Sequence, residues 1–369
     1  MSPRKSRQVA APEEVHPAVR RARQVVGLYG DPDVTWSILL ELELATGLDR
    51  SALADRLGQV VREHPHLGRP PDVEEVATSG RSAAPADRER FANRPYGDVD
   101  PLIRVGLTSD GRVLLLAAHH GVIDGLGLVG LAGLLLATPL GTNARGVARS
   151  GAEPGFLRGA VRRLSEVVFR PPERYAARVR DRGVAADVLA HADLPSARRG
   201  TAALAWAALV ALRRWNGPLR RFRQPVIALG ISRRPGTAPI APDRDTAYSR
   251  VVAMDLHTSA ELAARVAATD PEPDFPVSDA GGFGPLLVRL LASRLGATVL
   301  VSNLGLLEGR SVEALRFWPA ASGPAGVAFG LASTRRTTTL TARARGGWFS
   351  RQDAEELLGL AQSALLATQ

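Results

Sequence analysis

The sequence predicts an α/β (α+β) fold in two lobes, and three observations carry that expectation. Strand-like and helix-like stretches alternate in both halves of the chain. Between Pro139 and Leu194 apolar content falls, arginine rises, and the strings PLGTNARG, AEPG and RPPER supply loop and linker signals. The 369 residues, 45% hydrophobic and 23% charged, have ordinary globular composition and allow about two domains. The boundary falls near residue 150, so that residues 1–150 and 151–369 form the lobes, with a basic linker region over 145–223.

Each element follows from a local pattern. Residues 12–29 carry acids early and arginines late around Val15, Val19, Val25 and Val26, which suits a short amphipathic helix. Thr35–Ala45 alternates Trp36, Ile38, Leu40, Leu42 and Leu44 with Ser37, Leu39, Glu41 and Glu43, the period of a half-buried strand. Asp49 caps a helix in which Leu53, Leu57, Val60 and Val61 recur at helical spacing, and His64-Pro65 stops it. Ser79–Asp100, rich in Ala, Pro, Arg and Asp, reads as loop with some helix. PLIRVGLTS and RVLLLAAHH are apolar runs joined at Ser109-Asp110-Gly111, a tight hairpin signal. Leu126–Ala137 is apolar all round and should be a buried helix on that hairpin.

In the second half TAALAWAALVALRRW reads as a strong helix. The strings PVIALGIS, SRVVAMDL, ATVLVSNLG, AGVAFGLAS and TTTLTARAR read as strands, with ELAARVAA and PLLVRLLASRL as further helices. The final helix starts at Ser350, with Asp353 three residues on completing a capping box.

Composition narrows the chemistry. The chain has 47 Lys+Arg against 37 Asp+Glu, a net charge of +10, yet Lys5 is the single lysine and cysteine is absent. A Schiff-base or P-loop lysine, a thiol nucleophile, a cysteine zinc site, a disulfide and an iron–sulfur cluster are excluded. Residues 145–223 hold 17 arginines against six acids, so the excess positive charge belongs to that segment. Few aromatics interleave it and it carries no nucleic-acid motif, so solvated arginine faces account for it; functionally, it could steer an acidic carrier protein or the phosphates of coenzyme A. No apolar run reaches the roughly 18 residues of a membrane span or forms a signal core, so a cytoplasmic, non-membrane protein is expected. His64 and His66 lack carboxylates at ligand spacing beyond Glu63, and no metal site is expected there.

One stretch gathers reactive side chains at an interpretable spacing: VLLLAAHHGVIDGLGLVG, with His119, His120, Asp124 and Gly125. Two histidines leaving a buried strand, with a carboxylate four residues on, can hold an imidazole in place to take a proton from an amine or hydroxyl. A plainer reading has the histidines closing a strand and Asp124 capping the next helix. Gly125, Gly127 and Gly130 also fit a dinucleotide fingerprint, but the loop GTNARGVARSGAEPG stands where its second acidic strand belongs, and Asp124 would repel a pyrophosphate.

The full string His119-His120-Gly121-Val122-Ile123-Asp124-Gly125 resembles the HHxxxDG motif of the condensation-domain superfamily of nonribosomal peptide synthetases, relatives of chloramphenicol acetyltransferase. The hairpin around Pro101-Leu102-Ile103-Arg104, the opening WSILLELE strand with the helix ending REHPHL, and TVLVSNLGLL are similar to family segments in the same order. PVIALGISRRPG resembles the strand that ends in an Asn-Arg-Pro-like sequence, with Arg233 where the family has asparagine and Arg234 in the arginine's place. Dihydrolipoyl acyltransferases carry a similar HxxxDG string, but near the C-terminus and after a lipoyl domain.

The resemblance implies two chloramphenicol-acetyltransferase-like lobes in a V-shaped pseudo-dimer, with His120 at the bottom of a tunnel between them. It implies a standalone acyltransferase that makes an amide or ester from a thioester donor in natural-product biosynthesis. His120 would act as general base or position the acceptor, with His119 a hydrogen-bonding neighbour. Asp124 would be structural and pair with an arginine, Arg234 first and Arg233 next. Gly125 would let the backbone turn tightly. Ser302 and Asn303 are candidates to line the tunnel or donate to the oxyanion; alternatively Asn303-Leu304-Gly305 simply ends a strand. The implied partners are a carrier protein and a small-molecule acceptor, with no nucleic acid and a monomeric state. The donor is tethered to phosphopantetheine or coenzyme A, and no intrinsic cofactor or metal is implied. The alternative function is a non-catalytic condensation-like scaffold that recruits partners to a synthetase.

Overall fold

The computed structural model describes residues 15–27, 34–144, 170–181, 186–197, 199–217, 223–234, 240–271, 296–321 and 326–368. The first half runs α1 (Pro17–Gly27), β1 (Ser37–Leu44), α2 (Arg50–Glu63), β2 (Val73–Val76), β3 (Thr78–Ser79), β4 (Ser82–Ala83), α3 (Pro85–Asn93), β5 (Ile103–Thr108), β6 (Val113–His119), α4 (Gly125–Leu135) and β7 (Gly141–Thr142). Asp49 caps α2 by accepting from Ala52 N–H at 2.8 Å. The β5–β6 hairpin turns at Gly111, whose φ of 69° suits a residue without a side chain.

The second half runs β8 (Asp187–Pro195), α5 (Thr201–Asn216), β9 (Val226–Ser232), β10 (Thr246–Val252), α6 (Ser259–Ala267), β11 (Val299–Glu308), β12 (Val312–Trp318), β13 (Val327–Ser333), β14 (Thr337–Arg345) and α7 (Arg351–Leu366). Ser350 and Asp353 form a reciprocal capping box at the start of α7. The helix expected over PLLVRLLASRL and all of residues 145–169, with their five arginines, lie outside the described residues.

Two mixed sheets result. The first has the order β12-β1-β6-β5-β2, and the second β10-β9-β11-β13-β14-β8, with β7 added against β11. Helices α2 and α4 pack with the first sheet in one apolar cluster, and α5 and α7 with the second in another. Most strands of each sheet come from one half of the chain, but β12 crosses over: it pairs antiparallel with β1, placing Phe317 opposite Leu40 and Arg316 opposite Glu41.

Three features differ from the sequence reading. The stretch read as linker contains β8, which closes the second sheet by pairing with β14 over nine residues. β12 was not anticipated at all. β1 is not half-buried: all eight of its residues are buried, the glutamates included. Its glutamate face is covered by Arg316 of β12 and Arg88 of α3, so the charges alternate toward an ion-pair cluster instead of toward water.

The lobes are tied together through arginine. Arg343 of β14 is fully buried and donates to Asp187 Oδ2 at 2.6 Å, to the Ser37 carbonyl of β1 and to the Ala92 carbonyl of α3. A planar group with five donors suits such a junction, because it satisfies carbonyls from several elements at once.

Candidate active site

The end of β6 sends adjacent histidines to opposite sides. His119 turns inward, with its ring edge-on to Tyr96 at 5.1 Å and Nδ1 accepting from Gly121 N–H at 3.1 Å. Burial, then the neighbouring His120, then Arg23 and Arg104 push its pKa down to about 3. It therefore stays neutral and belongs to the packing of the turn.

His120 turns toward a cavity of about 540 Å³ between the two sheets, lined by residues of β1, β9, β10, β11, the start of α4 and the end of β12. Its backbone N–H donates to the Trp36 carbonyl at 2.7 Å. Trp36 itself has φ of 55°, a left-handed conformation that costs a bulky residue strain and marks a site held by its surroundings. His120 Nδ1 lies 3.1 Å from the Ile123 carbonyl, which only accepts, so Nδ1 carries the proton. Nε2 is the bare nitrogen, and the Tyr248 hydroxyl of β10 donates to it at 2.8 Å. Burial and the charge of Arg244 push the His120 pKa down to about 4 against the pull of the Ile123 carbonyl, so the imidazole is neutral near pH 7.

Asp124 does not face this chemistry. It is buried, caps α4 by accepting from Gly127 N–H at 2.7 Å, and takes the Asp245 N–H at 2.8 Å. Arg234 reaches it from beyond β9: a single nitrogen, Nη1, bridges both oxygens at 2.9 and 2.8 Å, while Nη2 donates to the Asp243 carbonyl and carboxylate. The contact is thus one shared nitrogen, not the parallel two-nitrogen fork expected of such a pair. Arg234 thus holds the place for which Arg233 is the second candidate, and the Arg233 backbone N–H donates to Asp245 O at 3.0 Å.

The glycines of α4 allow this arrangement by letting backbone approach. A Cβ on Gly127 would stand 2.1 Å from Asp243 O, and one on Gly130 would stand 2.3 Å from Ile240 O. The glycine string that fits a nucleotide fingerprint is therefore filled by the 240–243 segment. Gly125 is the first residue of α4 and has no left-handed φ. Its reason is space, since a Cβ there would meet Phe317 at 2.8 Å and Leu304 at 2.9 Å.

Ser302 and Asn303 sit side by side on β11 and differ in role. Asn303 Nδ2 donates to Arg199 O at 2.9 Å and Oδ1 accepts from Gly305 N–H at 2.9 Å, which holds an irregularity in the middle of β11; the strand runs on to Glu308, so Asn303-Leu304-Gly305 does not end it. Both residues line the cavity. The Cα partner of Ser302 in β9 is Gly230, whose own partner in β10 is Tyr248, so Tyr248, Gly230 and Ser302 form one row across the sheet. Residues paired in this way share a face of the sheet.

Sequence reasoning missed Tyr248, Trp36 and Asp243. Tyr248 lies in the run TAYSRVV, whose alternation shows a strand but not which face meets His120. Among the described residues no group of three or more potential metal ligands occurs, and no described helix is long and apolar enough to cross a membrane.

No family model and no curated protein sequence matches the chain. Solved structures do. The first condensation domain of the calcium-dependent antibiotic synthetase, in complex with a substrate analogue, superposes with a TM-score of 0.59 at 16% identity, covering 98% of this chain and 97% of that one. The chain has the condensation-domain fold. The starter condensation domain of rhizomide synthetase, a mutant in complex with C8-CoA and Leu-SNAC, gives 0.57 at 13% identity over 96% of this chain and 94% of its own. The condensation domain of the monacolin K polyketide synthase gives 0.55 at 12% identity over 95% and 96%. Within the condensation-domain fold, then, the cavity lies between the two sheets and His120 opens onto it.

Proposed function

We propose that the protein is a condensation-type acyltransferase that forms an amide or ester by moving an acyl group from a thioester to an amine or hydroxyl. The observation that carries this reading is the state of His120: a neutral imidazole, locked by Nδ1–H on the Ile123 carbonyl, on the wall of a cavity of about 540 Å³ that it shares with Tyr248 and Ser302. The condensation-domain fold supports it, as does the complex of the rhizomide neighbour with C8-CoA and Leu-SNAC.

The step needs no covalent enzyme intermediate. The acceptor's N or O attacks the thioester carbonyl while its proton moves toward Nε2; the C–N or C–O bond forms, the C–S bond breaks, and the imidazolium returns the proton to the leaving thiolate. Ser302, which lines the cavity, is the proposed donor to the oxyanion. Asp124 and Arg234 hold the turn that aims His120 and take no proton. A carrier-tethered or coenzyme A-tethered donor and a small-molecule acceptor in natural-product biosynthesis fit this chemistry.

The test is transfer from a panel of acyl-coenzyme A and loaded carrier proteins to an amine and alcohol pool, read by mass spectrometry. Product should fall by about 10²–10⁴-fold in His120→Ala, the usual worth of a general base. Equal product from the variant would overturn the role of His120. No product from either protein, with tight carrier binding by both, would favour a scaffold.

A further inference from the structure

The Tyr248 hydroxyl occupies the position on His120 that a substrate's N–H or O–H would need. Nδ1–H is committed to the Ile123 carbonyl at 3.1 Å, and a neutral imidazole has one in-plane lone pair left, on Nε2. At 2.8 Å that lone pair already accepts the Tyr248 proton. We infer that the acceptor's proton reaches His120 through the Tyr248 hydroxyl, which makes Tyr248 the residue that touches the attacking group. This inference rests on the acyltransferase reading above and assigns that reaction a second catalytic residue.

The surroundings leave room for such a contact. Tyr248 and Ser302 flank Gly230 on one face of the sheet, and all three line the cavity. A Cβ built on Gly230 would stand 3.3 Å from Ser302 Oγ, so the bare glycine is what leaves the approach between the two hydroxyls clear on the cavity side. An acceptor lying over Gly230 has the Tyr248 hydroxyl on one side and the Ser302 hydroxyl on the other. The step balances without further reactants. As the acceptor's N or O bonds to the acyl carbon, its proton passes to Tyr248 Oη and the tyrosine proton passes to His120 Nε2. When the C–S bond breaks, the imidazolium proton returns to the tyrosine, which passes one to the thiolate.

Two measurements test the relay. Diethyl pyrocarbonate acylates the bare nitrogen of a neutral imidazole, so adduct formation at His120, located by peptide mass spectrometry and absent in His120→Ala, reports whether Nε2 is engaged. Tyr248→Phe should raise the rate of that adduct several-fold, as releasing one hydrogen bond allows. In acyl transfer the same variant should lose about 100-fold or more in kcat with KM little changed, and 3-fluorotyrosine at position 248 should restore transfer at a rate that follows phenol acidity. Circular dichroism and the unfolding midpoint verify that the variant is folded. Unchanged or raised kcat in Tyr248→Phe would overturn the relay, because the hydroxyl would then only cover the base. Equal adduct rates in an active wild type and its variant would also overturn it. Absence of transfer in the wild type would remove the acyltransferase reading and the relay together.

Discussion

Strand β1 serves two buried polar regions, and their contrast separates chemistry from architecture. Near its start, Ile38 and the preceding Trp36 border the cavity that His120 faces. A few residues on, Glu41 points into a closed cluster in which Arg316 Nη1 donates to it at 2.9 Å, Arg88 lies at 3.6 Å, and Arg316 Nη2 donates to Asp193 Oδ2 at 2.6 Å. Each region has a histidine depressed to about 4, chiefly by burial: His120 in the first, His191 in the second. His191 sits 3.3 Å from Arg88 and edge-on to Trp318, with protein on the sides these groups occupy. A shifted pKa therefore marks both places equally. What distinguishes His120 is that its bare nitrogen meets a single hydroxyl beside open volume.

The sharpest way to break this comparison is at the closed end. Burial raises the Glu41 pKa against the attraction of Arg88 and Arg316. Removing the carboxylate leaves those guanidinium groups without their shared partner, and Glu41→Ala should cost about 3–5 kcal/mol in urea unfolding. A loss below about 1 kcal/mol would show that the cluster contributes no more than an exposed pair does.

Acid should act next, and on both regions. His119, His120 and His191 have folded pKa values of about 3, 4 and 4, below the usual 6.5, so the unfolded chain binds more protons once the pH drops below 6.5. Stability is full above about pH 6.5 and is lost as pH falls toward 4, by up to about 1.4 kcal/mol per unit for each histidine. Glu41 works in the opposite direction: its folded pKa is raised, so the cost of its buried charge is relieved as pH falls through that raised value toward the ordinary 4.5. Urea midpoints at pH 7, 5.5 and 4.5 should decline in that order. His120→Gln and His191→Gln should each flatten the decline, and a flat wild-type profile would disprove the shifts.

The smallest stability effect belongs to the open end. Gly230→Val places a side chain over the cavity floor, where the nearest neighbour of its Cβ is the Ser302 side chain at 3.3 Å, so unfolding stability should change by less than about 1 kcal/mol while acyl transfer drops. A large stability loss would mean that the floor is packed like the closed cluster.

The sequence shows the local parts of this structure well. The hairpin, the apolar α4, the caps at Asp49 and Ser350 and the two histidines are all written in short-range pattern. What stays hidden depends on contacts between distant segments. β8 and β12 carry His191, Asp193, Glu313 and Arg316 where a strand pattern wants apolar residues, because Arg316 is buried in an ion-pair cluster with Glu41 and Asp193 that joins the two strands through β1. Tyr248 meets His120 across 128 residues and Arg234 meets Asp124 across 110. Arg234 reached the candidate set through a family resemblance, and Tyr248 had no such guide.

The crossing of β12 has a consequence for how the protein is made. Roughly 270 residues separate β1 from the strand that completes its edge. At about 5–20 residues per second, that edge stays open on the ribosome for on the order of 15–50 s. An open strand edge invites pairing with another nascent chain unless charges point along it. Glu41 and Glu43 lie on that edge, so the two carboxylates that later close the ion-pair cluster are charges of the kind that disfavour pairing of an open edge with another chain.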